Sequence, residues 1–593
     1  MIYALAILII TAAVCYALTL GTNRGNAARV VALVGAAAAL ATALWFEGLR
    51  GGGIAGSPVA WPDFMSWLGA SFYTSDTLAA SLGAWCILLG GLCLLAVGDG
   101  EQSTGKIAAA VSLITVLYSL VYTSDLRAFA AQVLLVLPLT WAVLWDPDGQ
   151  AGLAVRQRTA QAAGALALLV AVLLIGRTTG GIYGLGDLSL SALTFWPLLL
   201  MFLFILFWLG LAPFTGWSGL ANTRLGGARG TQGALVQGLV LGVPALVLVL
   251  RLEALITRQA LAGSVPAEWT SFAVALAWLG GVTAIVAAAS AIVWAGTARW
   301  SGALIAFAMG IALWAMALDT PTGRYASIAV LLAYGLGRLT LDLPAGQSGW
   351  LPRLAAGLSL VGAPLLAGFV GIWLLATGLV ESRHAALALV IAGAAIMAAC
   401  GAALHLPNAE SGMQNAESLR VRINGLIALI LSAAIFMGGA LPGLWLPLVE
   451  DAASIAGGAA RIGISWIGIE SGGMLLPLTL LAGAAVFVAG LGWLLRAWAK
   501  SRTTESSVLL PTAIARLQNL RQDGPAEQPL LSNPPPAIWW LSLAWLDSGI
   551  YGAGALLNRL AMRFGMLLAR LEGRYYFSIA LILTLLIILA VSR

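Results

Sequence analysis

The stretch Leu331-Leu-Ala-Tyr334-Gly-Leu-Gly-Arg338-Leu-Thr-Leu-Asp342-Leu-Pro344 sets an arginine and an aspartate inside an otherwise apolar run. The two charges stand four apart, on one helical face, where they can pair within their own helix. The rest of the chain says what surrounds them. Its 593 residues are 61% hydrophobic and only 9% charged, with a mean hydropathy of +0.96, whereas an ordinary soluble domain is roughly a quarter charged. The chain is therefore read as a bilayer protein, and an ionisable group at membrane depth is costly enough to be a functional hypothesis by default. Two accounts of the pair stand side by side. It is either a neutralised pair near a helix end that fixes packing, or a route for water and protons in which Arg338 is a fixed positive charge tuning Asp342.

A helix needs about 20 mostly apolar residues to cross the hydrocarbon core. Such stretches fall near 2–20, 28–46, 78–98, 106–124, 126–145, 161–177, 193–213, 232–252, 270–294, 300–318, 325–343, 355–379, 384–405, 424–442, 474–497 and 573–591, about sixteen in all. The first has no basic leader and no small-residue cleavage site, so it reads as a retained helix. With the N-terminus outside, the inner loops and tail hold roughly twice as many of the 30 basic residues as the outer loops. That bias implies a multi-pass protein of the cell inner (plasma) membrane with its N-terminus outside.

Three segments are not spans. The loop 47–77 begins Gly51-Gly52-Gly53 and ends in an aromatic stretch from Trp61 to Tyr73, suited to folding onto the membrane interface. The loop 443–473 is its smaller counterpart. The segment 498–572 starts polar, passes Pro534-Pro535-Pro536, and becomes amphipathic, with Arg559, Arg563 and Arg570 on one helical face. Such a helix lies in the cytoplasmic interface or straps a partner subunit.

Other charges near membrane depth are few. Asp125 and Arg127 sit between the fourth and fifth spans, Arg251 and Glu253 close the eighth, Arg299 opens the tenth, and His384 and His405 bracket the thirteenth. All of these are near span ends, where snorkelling to the interface is the ordinary account; Asp125, Arg251, Glu253, Arg299 and His405 nonetheless join Arg338 and Asp342 as candidates for a charge or proton pathway. Soluble chemistry finds little to work with. The four cysteines all lie in apolar runs, the two histidines are about twenty residues apart, and no paired carboxylates occupy a span centre, so neither a metal nor a hydrolytic site is expected. Of the 30 basic residues, all but Lys106 and Lys500 are arginine, which holds its proton where lysine can release it.

Four stretches carry a resemblance. They are Leu209-Gly-Leu-Ala-Pro213-Phe214-Thr215-Gly216-Trp217, then Thr231-Gln-Gly-Ala234-Leu-Val-Gln237-Gly238 running on to Arg251, then Leu331 to Gly346, and Ser359-Leu-Val-Gly362-Ala-Pro364-Leu-Leu-Ala-Gly368-Phe369. In this order they resemble the seventh, eighth, eleventh and twelfth helices of the antiporter-like, proton-translocating membrane subunits of respiratory complex I, Mrp antiporters and membrane-bound hydrogenases. The resemblance implies an all-α polytopic fold with two inverted five-helix repeats and broken helices, which are tolerated where they line a buried or watery cavity. Pro197, Pro213, Pro244 and Pro364 offer places for breaks. The implied division is 1–105 for the first three helices and outer loop, 106–252 and 270–405 for the repeats, and 406–497 for two further helices. A polar linker at 498–536, an interfacial helix at 537–572 and a last span at 573–593 complete it.

Members of that family move protons along buried lysine, histidine and glutamate, and this chain departs from that row. Leu134 and Leu135 stand near the family's fifth-helix glutamate, Trp208 at the seventh-helix lysine, Gln237 at the eighth-helix histidine, and Gly242 and Ile372 at further lysine or glutamate positions. Only the eleventh-helix lysine keeps a charge, as Arg338, with Tyr334 for its histidine neighbour. A relay needs groups whose two protonation states are both reachable, so the expectation is a degenerate, non-catalytic member with a structural or coupling role in a complex I-type oxidoreductase or related energy-coupling assembly. The alternative is an active proton or cation antiporter using Asp342, Arg338 and water. Partners would be other membrane subunits and lipid, not nucleic acid. No cofactor is expected on this chain; quinone, flavin and iron–sulfur chemistry would belong to other subunits.

Overall fold

The computed structural model describes residues 1–19, 25–45, 57–58, 73–96, 104–144, 152–186, 188–212, 235–260, 267–294, 299–318, 320–343, 350–405, 419–447 and 449, with 463–464, 469–471 and 474–475. The chain divides into two compact units, Met1–Ser542 and Leu543–Arg593; every described residue belongs to the first. The expected linker 498–536, interfacial helix 537–572 and last span 573–593 lie outside the described residues.

Helices account for nearly all of the described chain: α1 (Ile2–Thr19), α2 (Gly25–Ala43), α3 (Thr77–Ala96), α4 (Thr104–Tyr122), α5 (Leu126–Leu144), α6 (Gly152–Thr179), α7 (Phe195–Leu209), α8 (Gly242–Ala260), α9 (Ala267–Val293), α10 (Arg299–Met316), α11 (Pro321–Asp342), α12 (Trp350–Leu360), α13 (Ala367–Glu381), α14 (Ala385–His405) and α15 (Leu419–Ala440). Among the described residues nine helices are long and apolar enough to cross a membrane, and shorter apolar helices stand beside them. Backbone polar groups in lipid must be satisfied internally, which is why the segments are helical. The few hydroxyls in them follow the same rule, as Thr11, Thr115 and Thr140 donate to carbonyls four residues earlier.

Every expected span up to 424–442 coincides with a helix, with two informative differences. The twelfth is two helices, α12 and α13, on either side of residues 361–366. The eighth begins with a π-helical turn at Val236–Val240 and continues as α8 to Ala260, eight residues beyond the expected end. Arg251 and Glu253 are thus in mid-helix rather than closing it, because Ala254-Leu255-Ile256 extends the apolar face past them. Where a span was expected to begin at 474, Met474–Leu475 instead form the last strand of an antiparallel ladder with Ile469–Ser471 and Gly463–Ile464. The Gly472-Gly473 pair between its last two strands is the sequence that tight hairpins favour. A second small ladder, Ser57–Pro58 with Thr74–Ser75, lies within the loop 47–77.

Packing follows two groups of helices. α4 to α8 pack in sequence order, with α8 also against α4; α9 to α15 form the second group, in which α9 packs on α10 and α14, and α11 on α10, α12 and α13. The stretch 238–256 is buried throughout, as its first part, apolar on every side up to Leu250, must be, and it lies between the groups, touching α7, α10 and α11. One close crossing is that of α9 and α10. A methyl on Gly280 would sit 2.6 Å from the amide nitrogen of Trp314 and 2.7 Å from the carbonyl oxygen of Gly310. Both are backbone atoms and cannot turn aside. Gly280→Ala should therefore lower stability by about 1–3 kcal/mol through overpacking. Gly393→Ala, with nothing within 4 Å of the new methyl, should be near neutral. Thermal unfolding in detergent checks the contrast, and equal midpoints for the two variants would refute it.

Candidate functional site

Among the described residues, the buried charges Asp76, Asp125, Arg251, Glu253 and Arg324 gather at one face of the helix bundle, apart from Arg338 further along α11. Chain segments there are tied together by isolated bridges of Tyr73 with Thr123 and of Asp125 with Gly184. Leu126 N–H donates to the Tyr183 carbonyl at 3.0 Å and Leu185 N–H to that of Ser124 at 2.8 Å. Gln259 on α8 brackets the following loop, donating to the Leu188 carbonyl at 2.6 Å and accepting from Leu190 N–H at 3.1 Å. Asp125 is itself a helix cap: one carboxylate oxygen accepts from the backbone N–H of Arg127 at 2.8 Å and of Ala128 at 3.2 Å. The other pairs with the Arg127 guanidinium at 3.0 Å. Arg127 is half exposed and lies 4.3 Å over the Tyr183 ring. It behaves as a snorkelling residue, and so does His384, exposed in the turn between α13 and α14.

Arg251 and Glu253 do not snorkel. Their side chains are 6% and 5% exposed, each in an ion pair with a distant helix. Arg251 pairs with Asp76, and its second amino group donates to the Val121 carbonyl at 3.0 Å. Asp76 also caps α3, accepting from Ala79 N–H at 2.8 Å. Glu253 pairs with Arg324 in the first turn of α11 at 3.2 Å, and Arg324 reaches Thr257 Oγ1 at 3.3 Å. Both carboxylate–guanidinium pairs are interhelical, the reason these two charges of α8 can afford to point inward. Beside them Gln132 amide N–H groups donate to the Tyr73 and Ser119 hydroxyls at 3.1 Å, and its carbonyl oxygen accepts from Thr123 at 2.9 Å. Sequence reading passed over Asp76 and Arg324 as loop residues. The signals were present: Ser75-Asp76-Thr77 before an apolar run is a helix-start pattern, and Thr320-Pro321 places Arg324 inside the next helix.

At greater depth the described positions expected to have lost relay groups are packed, with the exception of Leu135. Trp208 is fully buried at the end of α7, and its indole N–H donates to the Val240 carbonyl at 2.8 Å. Val240 ends the π-helical turn, and the residue four further on is Pro244, which has no N–H to give it. Trp208 supplies the missing donor. Leu134 is partly buried and Leu135 exposed, while Ile372 is buried on α13. Tyr334 and Arg338 are buried on α11, the latter completely. The side chains of Gln237, Asp342, Arg299 and His405 lie outside the described residues. Gly242 opens α8.

The break between α12 and α13 is closed by local bonds. Gly362 N–H donates to the Ser359 carbonyl and Ala363 N–H to that of Leu358, while the Ser359 hydroxyl accepts from Gly368 N–H at 3.3 Å. Gly362 has φ +72°, the left-handed conformation that glycine adopts without strain. A cavity of about 10 Å³ between this break, α10 and α11 is lined by Phe307, Tyr334, Ser359, Gly368 and Ile372 among others; that is about the room of one water. Among the described residues no three His, Cys, Asp or Glu side chains come together as a metal site.

No family model matches the sequence, and no curated protein matches it. Solved structures do match in fold. A chain of the Mrp complex from Dietzia sp. DQ12-45-1b aligns with a TM-score of 0.66 at 18% identity, over 87% of this chain and 62% of that one. This chain therefore spans less than two thirds of the Mrp chain's length. The membrane-bound sulfane sulfur reductase, an archaeal respiratory membrane complex, contains a chain aligned over 99% of this one and 100% of its own length, with a TM-score of 0.68 at 15% identity. A chain of respiratory complex I from Thermus thermophilus aligns over 77% of this chain and 100% of its own, with a TM-score of 0.60 at 20% identity. At these identities the likeness is one of fold, and the fold is the one the four motifs predict: the chain is a multi-pass membrane protein built on the antiporter-like subunit fold.

Proposed function

We propose that this chain is a membrane-arm subunit of a complex I-type oxidoreductase or a related energy-coupling complex, with a structural or coupling role in place of conventional proton translocation. The observation that carries the reading is Trp208. At the position where the resemblance implies a protonatable lysine stands a fully buried indole whose only polar group is committed to the Val240 carbonyl. An indole N–H is a donor only and takes no part in proton exchange. Of the other expected relay positions that are described, Leu134, Gly242 and Ile372 have no proton to exchange, and the eleventh-helix pair is kept as Arg338 and Tyr334, an arginine that holds its proton beside a phenol. In this reading the inner membrane holds the chain with its N-terminus outside, neighbouring membrane subunits and lipid cover its faces, and electron-transfer cofactors sit in other subunits. Arg338 is a fixed charge within α11.

Two measurements test it. Reconstituted alone in liposomes, the chain should carry proton flux no greater than protein-free vesicles, and in mild detergent it should co-purify in fixed ratio with other membrane subunits. Flux that collapses in an Asp342→Asn variant would sink the proposal and leave the active-antiporter alternative standing. The role given to Trp208 has its own check. Trp208→Phe keeps an aromatic ring but leaves the Val240 carbonyl without its donor, so it should cost about 1–3 kcal/mol of stability, read as a lower unfolding midpoint. An unchanged midpoint would mean that another donor serves that carbonyl.

A further inference from the structure

Four buried charges at one face of the bundle form two pairs that share α8. Arg251 faces Asp76 at the start of α3, and two residues later Glu253 faces Arg324 at the start of α11. Positions two apart on a helix point about 200° from each other, so α8 presents a positive charge on one side and a negative charge on the other. The side chains of all four are at most 6% exposed. Each pair is held by further bonds: Arg251 to the Val121 carbonyl at the end of α4, and Arg324 to Thr257 on α8. One turn of α8 therefore connects α3, α4 and α11. On α11, two residues before Arg324, the Thr322 hydroxyl donates to Glu381 at the end of α13 at 2.9 Å, which brings a fifth helix into the same belt.

A buried ion pair is weak evidence for stability, because desolvation offsets much of the attraction, but breaking one leaves an uncompensated charge and is strongly unfavourable. Its best use is to select one arrangement over others. α8 needs such a device. Up to Leu250 it is apolar on every side, so packing alone discriminates poorly between positions one turn, about 5.4 Å, apart. A slide of that size would strand all four charges at once. A half-rotation would set Arg251 toward Arg324 and Glu253 toward Asp76, like against like.

We infer that Asp76–Arg251 and Glu253–Arg324 form a charge-keyed lock that fixes the register of α8 between the N-terminal helices and α11. The lock concerns this chain alone, stands whichever complex the chain joins, and is tested without any partner.

The test uses the full chain purified in mild detergent and read by thermal unfolding and by size-exclusion profile. Glu253→Arg and Arg324→Glu, each alone, should lower the midpoint by roughly 5 °C or more or abolish monodisperse protein. E253R/R324E together should return it to within about 2 °C of the parent. Where the single variants fail to fold, recovery of folded protein in the double variant is itself the readout. The most discriminating variant is R251E/E253R, which keeps the composition and net charge and only reverses the order of charges on α8. A lock requires it to be at least as damaged as either single variant. Unfolding of R251E/E253R at the parent midpoint would overturn the inference, as would a charge-swapped E253R/R324E pair no better than its singles.

Discussion

In a bilayer, a carbonyl without a donor has no water to turn to, and each place where a helix is interrupted creates one. The carbonyl of Val240 is such a group. Pro244 cannot bond to it, and the indole of Trp208, from the end of α7, does. This one bond joins the end of the seventh span to the start of the eighth, with the Phe204 ring tilted against Trp208 at 5.4 Å between ring centroids. The second interruption is handled by chain-local means: Ser359 supplies its carbonyl to Gly362 and its hydroxyl to Gly368. In both places the protein's own groups close the break. Water and an ionisable side chain are the other means of doing so.

Charge is placed on the opposite principle. Asp76 and Arg324 are buried near helix starts, and Arg251 and Glu253 in the middle of α8, where a capping group and the carbonyl of Val121 at the end of α4 lie close by. Asp76 does two tasks there, neutralising Arg251 and satisfying the first turn of α3. Asp125 does the same for α5 and Arg127. Helix starts favour negative charge, so a carboxylate at such a position has its desolvation partly offset before its arginine partner is counted. Glu253, in the middle of α8, has no such help and depends on Arg324 for its neutralisation.

The fold was legible because hydropathy sets span positions almost unaided, and four short motifs set the order. What the sequence misled on was the end of the eighth span. Arg251 and Glu253 look like a boundary, since charges usually mark the interface; only their partners, 175 and 71 residues away in the chain, reveal that they are interior. No local pattern encodes such pairings. Asp76 was missed for the same reason, although its capping pattern was readable. The packing role of Trp208 was equally hidden, because the carbonyl it serves lies 32 residues on. The two-residue strand at Met474–Leu475 falls below the length at which alternation can be read.

The scarcity of lysine takes on a structural sense beside these contacts. Each buried arginine described in a pair uses its several donors in different directions: Arg251 to Asp76 and to a backbone carbonyl, Arg324 to Glu253 and to a threonine hydroxyl. Arg353 likewise donates to the Leu343 carbonyl just past the end of α11. A lysine ammonium is a compact point charge that can lose its proton when buried, whereas a guanidinium is a planar fork that stays charged and spans two acceptors. The task of holding helices together at buried positions selects for the fork. The task of passing protons selects for the group that lets go. In a chain with 28 arginines and two lysines, the buried Arg251 and Arg324 each bridge elements in a way that a lysine could not reproduce.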